Sequence, residues 1–148
     1  MKAYFACSIR SGGDTSNYLP ILDTLKSLGI DVLSEIFVHD AINFGGSPLP
    51  VDEIYQRDTN MIKACDFVIA EVTHPSLGVG YELAYAEKLN RPILCLFDEK
   101  SDKSLSAMIS GNTYNTVATY NMTTLNEIVK SFLIESNLNQ TLQKRTDR

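Results

Sequence analysis

The sequence predicts an α/β protein: a doubly wound, Rossmann- or flavodoxin-like sandwich on a parallel sheet of roughly five strands. Three observations point there. Short β-rich runs alternate with segments of helical periodicity along the chain. Two of those runs, Phe67-Val68-Ile69-Ala70-Glu71-Val72 and Pro92 to Phe97, are too apolar to leave a solvated face, as in a sheet covered on both sides. Clusters of Gly, Pro and Ser mark loops between several of these segments, and the alternation of strands with helices implies right-handed βαβ crossovers.

The elements follow in order. Ala3 to Ile9 reads as the first strand, broken by Ser11-Gly12-Gly13-Asp14. Tyr18 to Leu28 carries Leu19, Ile21, Leu22, Leu25 and Leu28 at helical spacing, with Gly29 as its stop. Asp31 to Phe37 reads as a second strand, and residues 38–50, with Gly45, Gly46, Pro48 and Pro50, as a long loop. Val51 to Ala64 reads as a mostly polar helix, Phe67 to Val72 as the third strand, and Thr73 to Gly80 as a loop. Tyr81 to Leu89 is expected as a helix, Pro92 to Phe97 as the fourth strand, and Ser104 to Ser110 as a short helix. Tyr114 to Tyr120 and Thr123 to Ile134 complete the pattern as strand and helix. One domain over 1–136 and a polar, frayed tail over 137–148 are expected.

Composition narrows the function. With 44% hydrophobic and 21% charged residues the 148-residue chain is not expected to be disordered. Its 13 basic and 18 acidic residues give a net charge of −5, which disfavours a nucleic-acid polymer as partner. The sequence has no run long enough to span a bilayer, and its apolar start meets Arg10 without a cleavage pattern. A cytoplasmic location with no membrane partner is therefore expected. Cys7, Cys65 and Cys95 have no knuckle spacing and read as reduced core thiols. His39 and His74 sit in loops without partners at metal spacing, so no metal is expected.

In such folds ligands bind beyond the carboxyl ends of the strands. The first loop there, Ser8-Ile9-Arg10-Ser11-Gly12-Gly13, offers hydroxyls, a guanidinium and backbone amides, the parts of an anion cradle. Its spacing is neither the P-loop nor the dinucleotide fingerprint, and it fits a solvated turn as well as a phosphate site. In Pro75-Ser76-Leu77-Gly78-Val79-Gly80-Tyr81-Glu82, Ser76 and the amides near Gly78 could hold an oxyanion. Glu82 is expected in a first helical turn, where the helix dipole would favour its carboxylate form. It reads equally as ordinary decoration of a helix start. Asp58 is a second carboxylate, and two carboxylates at one carbon are the usual equipment of glycosidic cleavage. Nothing in the spacing shows that they converge.

These residues carry a resemblance. Tyr4 to Arg10, Asp58, Ala70 to Leu83, Arg91 to Phe97 and Leu105 to Ile109 together resemble the 2′-deoxynucleoside 5′-phosphate N-hydrolase family, within the nucleoside 2-deoxyribosyltransferase superfamily. The likeness runs through most of residues 3–120. It implies a catalytic domain that releases a free base and 2-deoxyribose 5-phosphate from deoxynucleoside monophosphates, without cofactor. It implies Glu82 as nucleophile, Asp58 as the carboxylate that orients the sugar or assists the base, and Tyr4 as a residue lining sugar and nucleophile. Ser8, Ile9, Arg10, Gly12, Gly13, Ser76 and Gly78 match substrate or phosphate contacts. Ser106 matches a serine that reaches the phosphate of a neighbouring subunit, which implies a homodimer.

The chain also departs from that pattern. The family commonly has a histidine after a Ser/Thr-Glu pair, where Ser34-Glu35 is here followed by Ile36; His39 is the candidate substitute. Cys7 stands where the family has glycine, Arg10-Ser11-Gly12-Gly13 is one residue longer, and the 38–50 loop has its own sequence. Two other readings remain: a deoxyribosyltransferase or a ribonucleotide or modified-nucleotide N-glycosidase, and a nucleotide-binding domain without turnover.

Overall fold

The computed structural model describes residues 1–10 and 14–138. Gly12, Gly13 and the tail beyond 138 lie outside the described residues. Among the described residues eleven elements follow one another, the ten expected and one further helix, α2: β1 (Lys2–Ala6), α1 (Tyr18–Ser27), β2 (Asp31–Val32), α2 (Glu35–Phe44), α3 (Val51–Ala64), β3 (Phe67–Glu71), α4 (Leu77–Lys88), β4 (Ile93–Asp98), α5 (Ala107–Ser110), β5 (Thr116–Tyr120) and α6 (Leu125–Glu135). The five strands form one parallel sheet in the order β2-β1-β3-β4-β5. The order reverses between β1 and β3, and ligands of doubly wound folds bind beyond such a point.

The period of two along each strand sorts the core into two layers. Ala3, Phe5, Phe67, Ile69, Leu94 and Leu96 face α1 and α6. Tyr4, Ala6, Val68, Ala70, Ile93 and Cys95 face α3 and α4. Every residue of β3 is buried, as its unbroken apolar run requires. Tyr4 thus points to the same side of the sheet as α3 and α4, and Glu71, at the end of β3, has the opposite parity. α1 ends where expected: Gly29 takes φ +72°, a conformation that favours glycine.

β1 ends at Ala6 and not at Ile9, and α5 begins at Ala107 and not at Ser104; two further corrections bear on the site. The second strand is only Asp31–Val32, and residues 35–44, expected as strand end and loop, form α2. Ser34 explains the change. Its hydroxyl accepts from the Phe5 amide and donates to the Phe5 carbonyl, each at 2.9 Å. One side chain thereby takes over the edge bonds that another strand residue would have made, and the backbone turns into a helix closed by Gly45 at φ +72°. The second correction is α4, which begins at Leu77 and not at Tyr81. Gly78 and Gly80 suggested a loop because glycine costs about 1 kcal/mol in a helix. Ser76 counters this as N-cap, its Oγ accepting the Val79 amide at 3.3 Å.

Among the described residues no helix is long and apolar enough to cross a membrane. The three cysteines are free and buried. Burial raises the Cys7 and Cys95 thiols to about 12 and Cys65 to about 11, which disfavours thiolate chemistry.

Candidate active site

Three elements converge at the carboxyl end of β1. Tyr4 comes up from β1 on the α3/α4 side of the sheet, Asp58 projects from α3, and Glu82 from α4. The Tyr4 hydroxyl donates to Glu82 Oε1 at 2.8 Å. A cavity of about 250 Å³ opens over this pair, lined by Asp58, Glu82, Arg57, Ile9, Arg10 and Ser76 among others. A small recess continues beneath it, where Tyr4 and Phe37 meet both carboxylates.

The face that α3 turns to the cavity is legible after the fact. Val51, Ile54 and Asp58 line it at spacings of three and four, one helical stripe that the polar neighbours disguised. Gly78, Val79 and Glu82 do the same on α4. Glu82 is the sixth residue of α4 and so lies in the second turn, not the first. The dipole effect fades beyond the first turn, and burial dominates in its place. The Glu82 carboxyl is raised to about 7, first by desolvation and then by the negative charge of Asp58. The Tyr4 hydrogen bond and the Arg57 guanidinium pull the other way. Tyr4 itself is raised by burial and by the same two carboxylates, so it stays a hydrogen-bond donor.

Arg57 is the residue that sequence reading missed. Its Nε donates to Asp58 Oδ1 at 2.8 Å. Its guanidinium carbon lies 3.7 Å from the centroid of the Phe37 ring. Both partners hold the guanidinium in the wall of the cavity, while its Nη1 is buried without a partner among the described residues. Neighbours in a helix sequence diverge by about 100°, so adjacency to Asp58 was no signal that Arg57 shares its cavity. The Phe37 contact requires α2, whose residues the sequence reads as strand end and loop.

The phosphate candidates divide. Ile9, Arg10, Ser76 and Gly78 line the cavity. Gly46 at φ +138° lets its loop come close, a Cβ there meeting Ile9 Cγ2 at 3.6 Å and Arg10 Nε at 3.7 Å. Ser8 is buried, its carbonyl accepting the Tyr18 hydroxyl at 2.9 Å, and it is not among the described lining residues. Ser106 is exposed at the N-cap of α5 and is not a lining residue of its own chain's cavity. His39 faces Glu35, with 3.8 Å between Nε2 and Oε1, and is likewise absent from the lining. Ile36 is 62% exposed. Among the described residues no three His, Cys, Asp or Glu side chains gather as a metal set.

Comparison with known proteins agrees with this architecture. The model of the nucleoside 2-deoxyribosyltransferase family matches residues 3–133. A Syntrophotalea carbinolica protein, provisionally named 2′-deoxynucleoside 5′-phosphate N-hydrolase 1, is 39% identical over 141 residues, covering 93% of this chain and 98% of its own. The 5-hydroxymethyl-dUMP N-hydrolase of Esox lucius is 44% identical over 115 residues, covering 75% of this chain and 79% of its own. The solution structure of BlsM shares the fold with a TM-score of 0.71 at 17% identity, covering 92% of this chain and 93% of that one. The chain therefore belongs to the nucleoside 2-deoxyribosyltransferase family, alongside relatives named as N-hydrolases of deoxynucleoside monophosphates.

Proposed function

We propose that this chain is an N-glycosidase that hydrolyses 2′-deoxynucleoside 5′-monophosphates to a free base and 2-deoxyribose 5-phosphate, with Glu82 as nucleophile. One observation carries the reading: the 2.8 Å bond from Tyr4 to Glu82 at the floor of a cavity that Asp58 also enters. A binding site alone has no need of two carboxylates beside an anionic ligand.

The chemistry divides one difficult displacement into two. A Glu82 oxygen attacks the anomeric carbon, and the C1′–N bond breaks with its electron pair leaving on the base, which takes up a proton. Water then delivers hydroxide to the same carbon, Glu82 departs as carboxylate, and the proton that the water gives up balances the one taken up by the base. The Tyr4 hydroxyl holds one Glu82 oxygen so that the other is aimed. Asp58, steadied by Arg57, orients the sugar and assists the departing base. Arg10, Ser76 and the amides at the start of α4 receive the 5′-phosphate.

A second copy of the chain completes the site in this reading. Leu77, Met108, Val51 and Tyr81 are apolar or aromatic and exposed, Leu77 at 97%. They lie on α3, α4 and α5, on the side of the sheet that holds the cavity. A partner covering them would bring its own Ser106 towards this phosphate, and the acidic chain would then bind an anion through local donors. The alternative, which fits the family's name, is transfer of the sugar instead of its release to water.

The test is Glu82→Gln and Glu82→Ala, each checked for native circular dichroism. Loss of base release by at least about a thousandfold is expected of a nucleophile. A folded variant with near-normal turnover would remove Glu82 from the reaction.

A further inference from the structure

A second cavity, of about 360 Å³, lies at the same end of the sheet but against its other face. Strand parity separates the two: Tyr4 opens to the α3/α4 side, whereas Glu71, Phe5 and Leu96 share the α1/α6 side. The proposed hydrolysis uses nothing in it.

Its walls are polarised. At one end the buried Glu71 accepts from the Thr73 hydroxyl and, at 3.3 Å, from the Tyr120 hydroxyl. Asp98 lies beside it, accepting from Asn17 Nδ2 at 2.7 Å. These are acceptor-rich groups, suited to the hydroxyls of a ligand. At the other end, His74 makes two contacts that cannot both be hydrogen bonds. The Asp14 amide donates to Nε2 at 3.1 Å, which requires Nε2 to be without a proton. A neutral ring then carries its proton on Nδ1, yet Lys103 Nζ stands 3.2 Å from Nδ1. An ammonium has donors only, so Nδ1–H and Lys103 face each other donor to donor. Moving the proton to Nε2 only transfers the conflict to the Asp14 amide, and a cationic ring has it at both nitrogens. An anionic acceptor between His74 and Lys103 resolves it, and Lys100 lines the same cavity.

We propose that this second cavity binds a small sugar phosphate, with the phosphate on His74 Nδ1 and Lys103 and the hydroxyls at Glu71, Asp98 and Asn17. The carboxylates Glu71 and Asp98 restrict it to ligands with a single anionic end, because they would repel a second. One loop joins the two cavities: Thr73 and His74 line this one, and Ser76, the N-cap of α4, lines the other. A ligand at His74 therefore bears on a segment that lines the catalytic cavity.

The experiment is a titration of the whole chain followed by two-dimensional NMR. The probes are 2-deoxyribose 5-phosphate, ribose 5-phosphate, inorganic phosphate and free 2-deoxyribose. The choice of the first probe rests on the proposed hydrolysis; ribose 5-phosphate keeps the two readings separable, as does the use of binding instead of turnover. Saturable shifts are expected at residues 73–74, 98–103 and 120–122 with either sugar phosphate, at a Kd below about 10 mM. Lys103→Ala, at an exposed position, is expected to weaken those shifts by at least about tenfold while shifts at residues 76–82 persist. The proposal is overturned by shifts confined to residues 7–10 and 76–82, or by an unaltered Kd in Lys103→Ala. Equal binding of inorganic phosphate or of free deoxyribose would overturn it too, since one half of the cavity would then be idle.

Discussion

As the proposed nucleophile, Glu82 is caught between two demands. A nucleophile must be ionised, but the packing that shapes the cavity desolvates its carboxyl and lifts it to about 7. The acid limb of kcat/KM is therefore expected near pH 7, with activity falling as pH drops below it. Tyr4→Phe removes the bond that helps hold Glu82 ionised, so the limb should move to higher pH and the rate at neutral pH fall by about tenfold. A limb that stays in place in Tyr4→Phe would mean that this bond does not tune the nucleophile. The same shift has a consequence for stability. A carboxyl raised in the folded state binds more protons folded than unfolded between pH 4.5 and 7. Its contribution to stability thus falls as pH rises through that range and stays low above it. Glu82→Gln escapes the penalty, so at pH 8 it should melt above the wild type, by up to about 2–3 kcal/mol in free energy, and the gain should shrink at pH 5. Asp58→Asn, which dissolves the pairing with Arg57, should cut base release strongly; an unchanged rate would demote Asp58 to a wall residue.

At the scale of elements, the helices were legible where an apolar stripe met a stop signal. α1 shows both, with Leu22 and Leu25 inward and Gly29 at its end. β3 was legible from its unbroken apolar run, because a strand buried on both faces needs no alternation. α2 was not legible: Ile36-Phe37-Val38 has the β-branched and aromatic content of a strand, and only the long-range bonds of Ser34 to Phe5 show why the sheet ends there. α4 was half legible, since local propensity counted two glycines against a helix that tertiary packing and the Ser76 cap sustain. Gly80→Ala is a direct check. A Cβ at that position meets nothing within 4 Å, so the substitution should raise stability by about 0.5–1 kcal/mol. A loss of stability would contradict a helix running unbroken from Leu77.

At the scale of the molecule, the switch in strand order between β1 and β3 collects what is distant in the chain. Tyr4 and Glu82 are 78 positions apart and share a hydrogen bond. Family likeness singles out both as candidates, but their meeting was not legible, because it depends on which face of β1 points to α4. Arg57 was illegible for the same reason, as its role depends on Phe37 and Asp58 in three dimensions. The exposed Leu77 and Met108 extend the argument beyond one chain. Sedimentation is expected to give a dimer of the 16.5 kDa chain, weakened by Leu77→Glu; a wild-type monomer at working concentration would leave Ser106 without a role at the phosphate. The most direct measurement is base release, read by chromatography, from deoxynucleoside monophosphates including 5-hydroxymethyl-dUMP, with the matching nucleosides and ribonucleotides, each with and without an acceptor base. Free base from the deoxynucleoside monophosphates, lost in Glu82→Gln, is the expected result. Release from unphosphorylated nucleosides alone, exchange that requires the acceptor, or silence across the panel would contradict it.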